Sequence, residues 1–249
     1  MAVRAEEVKP YGADTGAKGE QVERMFDSIA PAYDFMNSAM TLGLHRRWLR
    51  KALQEIKDKT PASDPKIIDL ATGTGDVAFS LASLFPDARI TGVDLSEGML
   101  AVAREKKQQK DGGERIEFVQ ADCMSLPYPD ATFDLLTIAY GVRNFESLER
   151  GFREFYRVLR PGGRGMILEL SRPEHRLMRA GYDLYTRTLI PLAGRLVSKD
   201  TRAYSYLPES IAAMPPRARI AEMLREAGFR KADFRSLTMG VVTYYIIEK

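Results

Sequence analysis

Asp69-Leu-Ala-Thr-Gly-Thr-Gly-Asp76 is the stretch that orders the reading of the whole chain. It lies where a short apolar run, Lys66-Ile-Ile-Asp-Leu70, gives way to a helical pattern at Val77–Phe85. Gly73 and Gly75 permit a tight turn and let a ligand approach the backbone closely. Asp94 stands 21 residues beyond Gly73, after the next apolar run, Arg89-Ile-Thr-Gly-Val93. An acid at that place accepts hydrogen bonds from ribose hydroxyls. Glycine turn and distal acid together read as a site for an adenosine-containing ligand. The plainer alternative is a glycine turn with Asp76 capping a helix.

Two cofactors compete for such a turn. Gly73, Gly75 and Ala78 satisfy the dinucleotide pattern G-x-G-x-x-G/A formally. A pyrophosphate, however, needs a helix N-terminus free of negative charge. Asp76 occupies that first turn and Asp69 precedes the loop, so two carboxylates would repel a diphosphate. S-adenosylmethionine has no phosphate and carries a sulfonium and an ammonium, which carboxylates suit. The loop chemistry favours the methyl donor.

Outward from the loop, short apolar runs alternate with amphipathic segments. Arg115–Val119, Phe133–Ile138 and Gly165–Leu170 read as further strands, with helices at Gly98–Lys107 and Glu146–Leu159 between them. Arg160-Pro-Gly-Gly163 reads as a turn into the fifth strand. Strands alternating with helices imply a parallel sheet built by right-handed crossovers. Near the C-terminus a helix at Arg217–Ala227 precedes two β-rich runs, Phe229–Leu237 and Val241–Ile247, and Thr238-Met-Gly240 suits a hairpin. The expected fold is α/β: a seven-stranded, mostly parallel, Rossmann-like sheet ending in an antiparallel hairpin, the layout of class-I methyltransferases. Residues 21–59 are helical in pattern with a break at Pro31, and 1–20 read as a mobile polar tail. A Pro-containing break at 57–65 separates an N-terminal tail and helical lid (1–60) from the main domain (61–249). That domain carries an insertion at 171–210.

Other residues join the loop at the strand ends. Asp122 follows the third strand and could accept from an adenine amino group; its alternative is a helix cap. Ile138-Ala-Tyr-Gly-Val-Arg-Asn144 ends the fourth strand, on the edge where open α/β sheets bind ligands. The Pro-Pro-aromatic motif common in N-methyltransferases is missing there, which argues against methylation of a base nitrogen.

These motifs taken together resemble the UbiE/MenG quinone-biosynthesis C-methyltransferases over nearly all of 21–249. The resemblance rests on Met25-Phe-Asp-Ser-Ile-Ala30, Tyr33-Asp-Phe-Met-Asn37 and Leu42-Gly-Leu-His-Arg-Arg-Trp48. It rests equally on Asp69–Asp76, Tyr140-Gly-Val-Arg-Asn144, Arg157-Val-Leu-Arg-Pro-Gly-Gly163 and Tyr204-Ser-Tyr-Leu-Pro-Glu-Ser-Ile211. It implies methyl transfer from S-adenosylmethionine to a ring carbon of a prenylated quinol. By position it implies Thr74, Asp94, Asp122 and Cys123 as cofactor contacts. Some members have Ser where this chain has Ala139, so Ala139 and Tyr140 count only as pocket neighbours. The wording Ser28-Ile-Ala-Pro-Ala-Tyr33 is closer to menaquinone-pathway members, which points to demethylmenaquinol; a ubiquinone-pathway benzoquinol is the alternative. An NAD-dependent oxidoreductase and a non-catalytic scaffold subunit are the other function classes.

Carbon methylation needs an electron-rich ring, made by removing a hydroxyl proton, and a cation to steady the phenolate. Arg143 is the first candidate for that cation, against a surface salt bridge; Asn144 could hold a ring oxygen. Tyr33, Asp34, Asp183 and Tyr204 are candidate bases. His45 reads as a wet or capped helix residue, and Cys123 as a nucleophile is unnecessary for a quinol.

Composition sets the outer limits. The 249 residues are 45% hydrophobic and 29% charged with a net charge of +3, which is globular and calls for no nucleic acid. With a single cysteine and two histidines, neither an intrachain disulfide nor a Cys-based zinc site is expected. No signal peptide, membrane span or lipidation cysteine is evident, so a cytoplasmic protein is expected. The +3 is unevenly placed. Between Arg172 and Arg202 seven basic residues stand against three acidic ones, a local surplus that exceeds that of the whole chain. The same insertion carries Met178, Tyr182, Leu184 and Tyr185 among other apolar residues. Basic and apolar together suit a cover for a prenyl tail that also touches an anionic bilayer. Packing on the sheet or on a second copy in a homodimer is the alternative.

Overall fold

The structure, a computed structural model, describes residues 4–12, 16–60, 64–189 and 202–249. Seven strands form one sheet in the order β3-β2-β1-β4-β5-β7-β6. They are β1 (Lys66–Leu70), β2 (Arg89–Asp94), β3 (Ile116–Gln120), β4 (Phe133–Ala139), β5 (Leu159–Leu170), β6 (Lys231–Leu237) and β7 (Val242–Glu248). β1 pairs parallel with β2 and β4, while β7 runs antiparallel between β5 and β6. The central strands are near-continuous apolar runs because helices cover both faces.

Helices α3 (Leu44–Lys59), α4 (Asp76–Leu84) and α5 (Glu97–Lys107) cover one face. There Leu53, Ile56, Leu81 and Leu100 pack with Tyr244. Helices α6 (Leu148–Val158) and α9 (Arg217–Glu226) cover the other with Phe152, Phe155 and Leu224. Ser96 and Ser147 cap α5 and α6, accepting from the amides of Met99 and Arg150, as N-cap serines do. Above the carboxyl ends of the strands sit α1 (Lys18–Ile29), α2 (Tyr33–Thr41), α7 (Arg176–Leu184) with a π-helical turn at Tyr185–Leu189, and α8 (Arg202–Ala213).

Two local expectations change. Pro161-Gly-Gly163 is not a turn ahead of β5 but a bulge inside it. Leu159 already pairs with Phe133, and the register resumes at Arg164 opposite Leu135. Gly162, at φ +76°, absorbs the extra residues at little steric cost. The described residues before α1 do not form a loose tail either. Ala5 is buried, and the buried Lys18 ammonium donates to the carbonyls of Ala5, Arg143 and Phe145 at 2.7, 3.1 and 3.0 Å. Burial lowers its pKa to about 8. The N-terminus is therefore fastened to the segment that follows β4.

Candidate active site

Four strand ends converge on the glycine turn. The amide of Thr72 donates to Val93 O at 3.0 Å, which ties the turn to β2. Gly75 starts α4 at φ +87°, and a Cβ there would lie 2.8 Å from the Phe79 ring. At Gly73 (φ +56°) the nearest side chain is the Tyr33 ring, 3.9 Å from a notional Cβ, so its outer side stays open toward α2. The Asp94 carboxylate accepts from the amides of Gly73 (2.8 Å) and Ser96 (2.9 Å). Asp69 is fully buried and accepts from the hydroxyls of Thr72 and Thr137, both at 2.6 Å.

Burial pushes the carboxyls of both Asp69 and Asp94 upward, that of Asp69 to about 7. Among the described residues neither forms an ion pair. A desolvated acidic pocket with open glycine backbone lacks a cation. The sulfonium and ammonium of S-adenosylmethionine supply one, so the residues fit that group. Asp76 plays less part than expected. It faces outward and pairs with Lys106 at 3.0 Å, so the acidity that disfavours a diphosphate comes from Asp69 and Asp94. Asp122 accepts from the Met124 amide at 2.8 Å in a turn, with no helix to cap. Cys123 is buried and its thiol is driven up by desolvation, which holds it protonated.

Next to the turn lies a cavity of about 360 Å³. Apolar and aromatic side chains from α1, α2, α3, α7 and α8, with Thr238 and Val241 of the hairpin, form its wall. Tyr33 links the two sites, touching the cavity and Gly73. Tyr140 and Arg143 enter from the end of β4. Arg143 is no surface residue: it is 7% exposed, pairs with the buried Glu169 at 2.8 Å and donates to the Tyr140 carbonyl. Burial alone would lower its pKa, but Glu169 outweighs it, so the guanidinium stays charged. Among the described residues the Tyr140 hydroxyl and the Arg143 Nε are buried without a hydrogen-bond partner.

Other candidates lie elsewhere. Asn144 is not on the cavity wall; its Oδ1 accepts from the Tyr206 hydroxyl at 3.2 Å, and Tyr206 is on the wall. Asp34 is not on the wall either. It accepts from Thr74 at 2.6 Å and pairs with Lys106 at 2.5 Å, which also occupies the Thr74 hydroxyl. Asp183 is paired with Arg172 outside the cavity. The insertion contributes Met178, Tyr182, Tyr185 and Tyr206 to the cavity wall, whereas Leu184 is exposed. Residues 190–201 and the side chains of Leu177, Arg187, Leu189 and Tyr204 lie outside the described residues.

His45, expected as a wet or capped helix residue, lines the cavity together with Trp48. The available signal was Thr41, four residues before His45 on the other side of the Leu42–Gly43 corner. The two bond at 2.7 Å.

A seven-stranded sheet with its last strand inserted antiparallel, and a glycine turn facing a ribose-type acid, define a class-I S-adenosylmethionine-dependent methyltransferase. The solved [4+2]-cyclase SpnF shares the fold at a TM-score of 0.67 with 18% identity, covering 93% of this chain and 96% of that one. The chain belongs to the ubiE/COQ5 methyltransferase family, whose model matches residues 14–249. It is 44% identical over 244 residues to a demethylmenaquinone methyltransferase of Bacteroides fragilis, covering 98% of each chain. It is 41% identical to a ubiquinone/menaquinone biosynthesis C-methyltransferase UbiE of Geobacter sulfurreducens, covering 93% of this chain and 90% of that one.

Proposed function

We propose that the protein methylates a ring carbon of a prenylated quinol, demethylmenaquinol giving menaquinol. One observation carries the reading: among the described residues the Tyr140 hydroxyl and Arg143 Nε have no hydrogen-bond partner, and both residues line a mostly apolar, aromatic-walled cavity. Buried polar groups are rarely left unpaired, so the missing partner is an oxygen on a flat apolar ligand. When bound, S-adenosylmethionine supplies the electrophilic methyl. Gly73 and Gly75 would give it room, Asp94 would accept from its hydroxyls, Asp122 and Cys123 would hold its base, and Asp69 would favour its positive charge. Arg143, held charged by Glu169, and Tyr140 steady the ring oxygen as negative charge develops. Tyr33 separates the two ligands, and its raised pKa suits a hydrogen-bond donor rather than a base. Asp34 and Asn144 act as positioning residues, through Thr74 with Lys106 and through Tyr206.

The wall residues within 25–48, 178–186 and 206–211 would together cover the ring. A cavity near 150 Å³ holds one benzene ring. The volume here therefore takes the bicyclic head and the start of the tail, and the rest must leave through the mouth. Leu42, on the wall yet 82% exposed, marks that mouth. Exposed Phe35, Leu184 and Met239 are each next in sequence to a wall residue. Arg46, Arg47, Arg50 and Lys51 on α3 are exposed and, among the described residues, form no ion pair. The apolar rim at the mouth, with the basic row on α3, the helix that carries His45 and Trp48 of the wall, suits an anionic bilayer on the cytoplasmic side; a second copy of the chain is the other outcome that sedimentation would reveal.

The direct test supplies reduced demethylmenaquinone or the demethylated benzoquinol with labelled methyl donor. Label on the naphthoquinol ring carbon supports the reading. Label only on the benzoquinol moves the substrate, and label on neither overturns the activity. Co-sedimentation with anionic vesicles at low salt tests the rim, and a protein that stays in the supernatant refutes it.

A further inference from the structure

Quinol methylation needs a proton acceptor, and the cavity wall is poor in them. Among the described residues the wall carries no Asp, Glu, Lys or Cys. Its ionisable side chains are five tyrosines (33, 140, 182, 185 and 206), Arg143 and His45. Burial raises the pKa of every one of those tyrosines, and Arg143 is a fixed cation. Histidine alone remains.

The hydrogen bonds around His45 settle which nitrogen is free. Thr41 ends α2, and its only hydroxyl proton goes to the Asn37 carbonyl, 2.7 Å away. The 2.7 Å contact between Thr41 Oγ1 and His45 Nδ1 must then be Nδ1–H donating to Thr41. In a neutral imidazole the other nitrogen carries the lone pair. Nε2 is thus the basic atom of a side chain on the cavity wall. The bond spans the left-handed corner Leu42–Gly43 (φ 50° and 73°), so two helices hold the ring.

We propose that His45 is the general base that takes the hydroxyl proton of the quinol, an inference resting on the quinol-methylation reading above. The O–H bond breaks toward Nε2 and the electron pair moves through the ring. The carbon beside the oxygen forms a bond to the methyl, and the S–CH₃ pair returns to sulfur. The methylated carbon then loses its own proton to water, and the imidazolium returns a proton to the oxygen. One proton is released overall, as the loss of the sulfonium charge requires. Burial and Arg46, on the same helix, hold the imidazole neutral, against opposing pulls from Asp76 on α4 and Asp34 on α2. The ring is therefore ready to accept at neutral pH.

The experiment uses full-length protein, reduced demethylnaphthoquinol and S-adenosylmethionine, with His45→Asn and His45→Ala beside the wild type. Asn keeps a donor for Thr41 and loses the Nε2 base; Ala loses both. The expected result is a loss of kcat of about 10²–10⁴-fold in His45→Asn, with methyl-donor affinity within threefold. Imidazole in the buffer should restore activity to His45→Ala. The acidic limb of wild-type kcat/KM, set below the ordinary histidine pKa, should vanish in His45→Asn. Activity of His45→Asn within fivefold of wild type overturns the proposal. So does a loss that neither imidazole rescue nor disappearance of that limb accompanies, which would make His45 a corner clasp only. No methylated quinol from the wild type would instead overturn the underlying reading, so the two failures separate.

Discussion

At the residue scale, function and stability pull apart at two side chains. Among the described residues the Tyr140 hydroxyl is buried with no partner, a state that costs desolvation without return until a ligand oxygen arrives. Tyr140→Phe is expected to leave Tm unchanged or slightly higher while kcat/KM falls about 10-fold or more. A calorimetric scan beside a rate assay checks both, and a lower Tm with full activity would contradict the assignment. Asp69 gives a pH dependence. Its carboxyl is raised from 3.8 to about 7 by burial, and the Thr72 and Thr137 hydroxyls only partly offset this. Between those values the native state holds a proton the unfolded chain has shed, so this group's contribution to stability falls as pH rises through the window. Asp69→Asn should therefore melt several degrees above wild type at pH 8, with a margin that narrows as the pH falls and closes below 3.8. It should also gain less in Tm from S-adenosylmethionine than wild type does. The sequence places Asp69 and Asp94 by the loop correctly, but not what surrounds them. Thr137 is 68 residues from Asp69, and no local pattern links the two.

The elements show why the fold reads easily and the cavity does not. Periodicity is a short-range signal, and each strand and helix of the sheet carries its own. The cavity wall draws on α1–α3, on α7 and α8 and on the hairpin. Each segment reads alone as an ordinary amphipathic helix or turn, and only their meeting makes a pocket. The same holds for the N-terminus, whose polar residues before α1 conceal the clasp between Lys18 and the carbonyls after β4. Lys18→Met leaves the carbonyls of Ala5, Arg143 and Phe145 without their donor. It is expected to lower kcat more than it raises KM for the methyl donor, because it loosens the Arg143 segment rather than the glycine turn. Faster proteolysis before residue 18 should accompany it; unchanged kcat and unchanged cleavage would show that the clasp does not matter.

For the whole molecule, the ratio of cavity to substrate has a measurable result. The cavity of about 360 Å³ is filled by the ring system and the first part of the tail. Further prenyl units gain nothing from the protein interior, and their affinity comes from the surface on which they rest. A demethylnaphthoquinol with two prenyl units should turn over in detergent with kcat within about threefold of a long-chain homologue, since chemistry at the ring is common to both. A steep rise of kcat with chain length would mean that the tail has a longer channel. The basic surplus that the sequence places in the insertion is only partly available there. Arg172 is paired with Asp183, and Arg179 donates to the carbonyls of Pro173 and Glu174. The exposed basic row on α3 is the part that its helical periodicity left unread.

The Lys18 clasp also bears on how the chain is made. Lys18 and its acceptor Phe145 are 127 residues apart, and the ribosome adds about 5–20 residues per second. The nascent N-terminal helix therefore waits roughly 6–25 s for its anchor, held until then only by the packing of Met25 and Ile29 on Met36 and Met99. β7 enters between β5 and β6, so the sheet closes only after β7 has left the exit tunnel, and chaperone demand should persist until then.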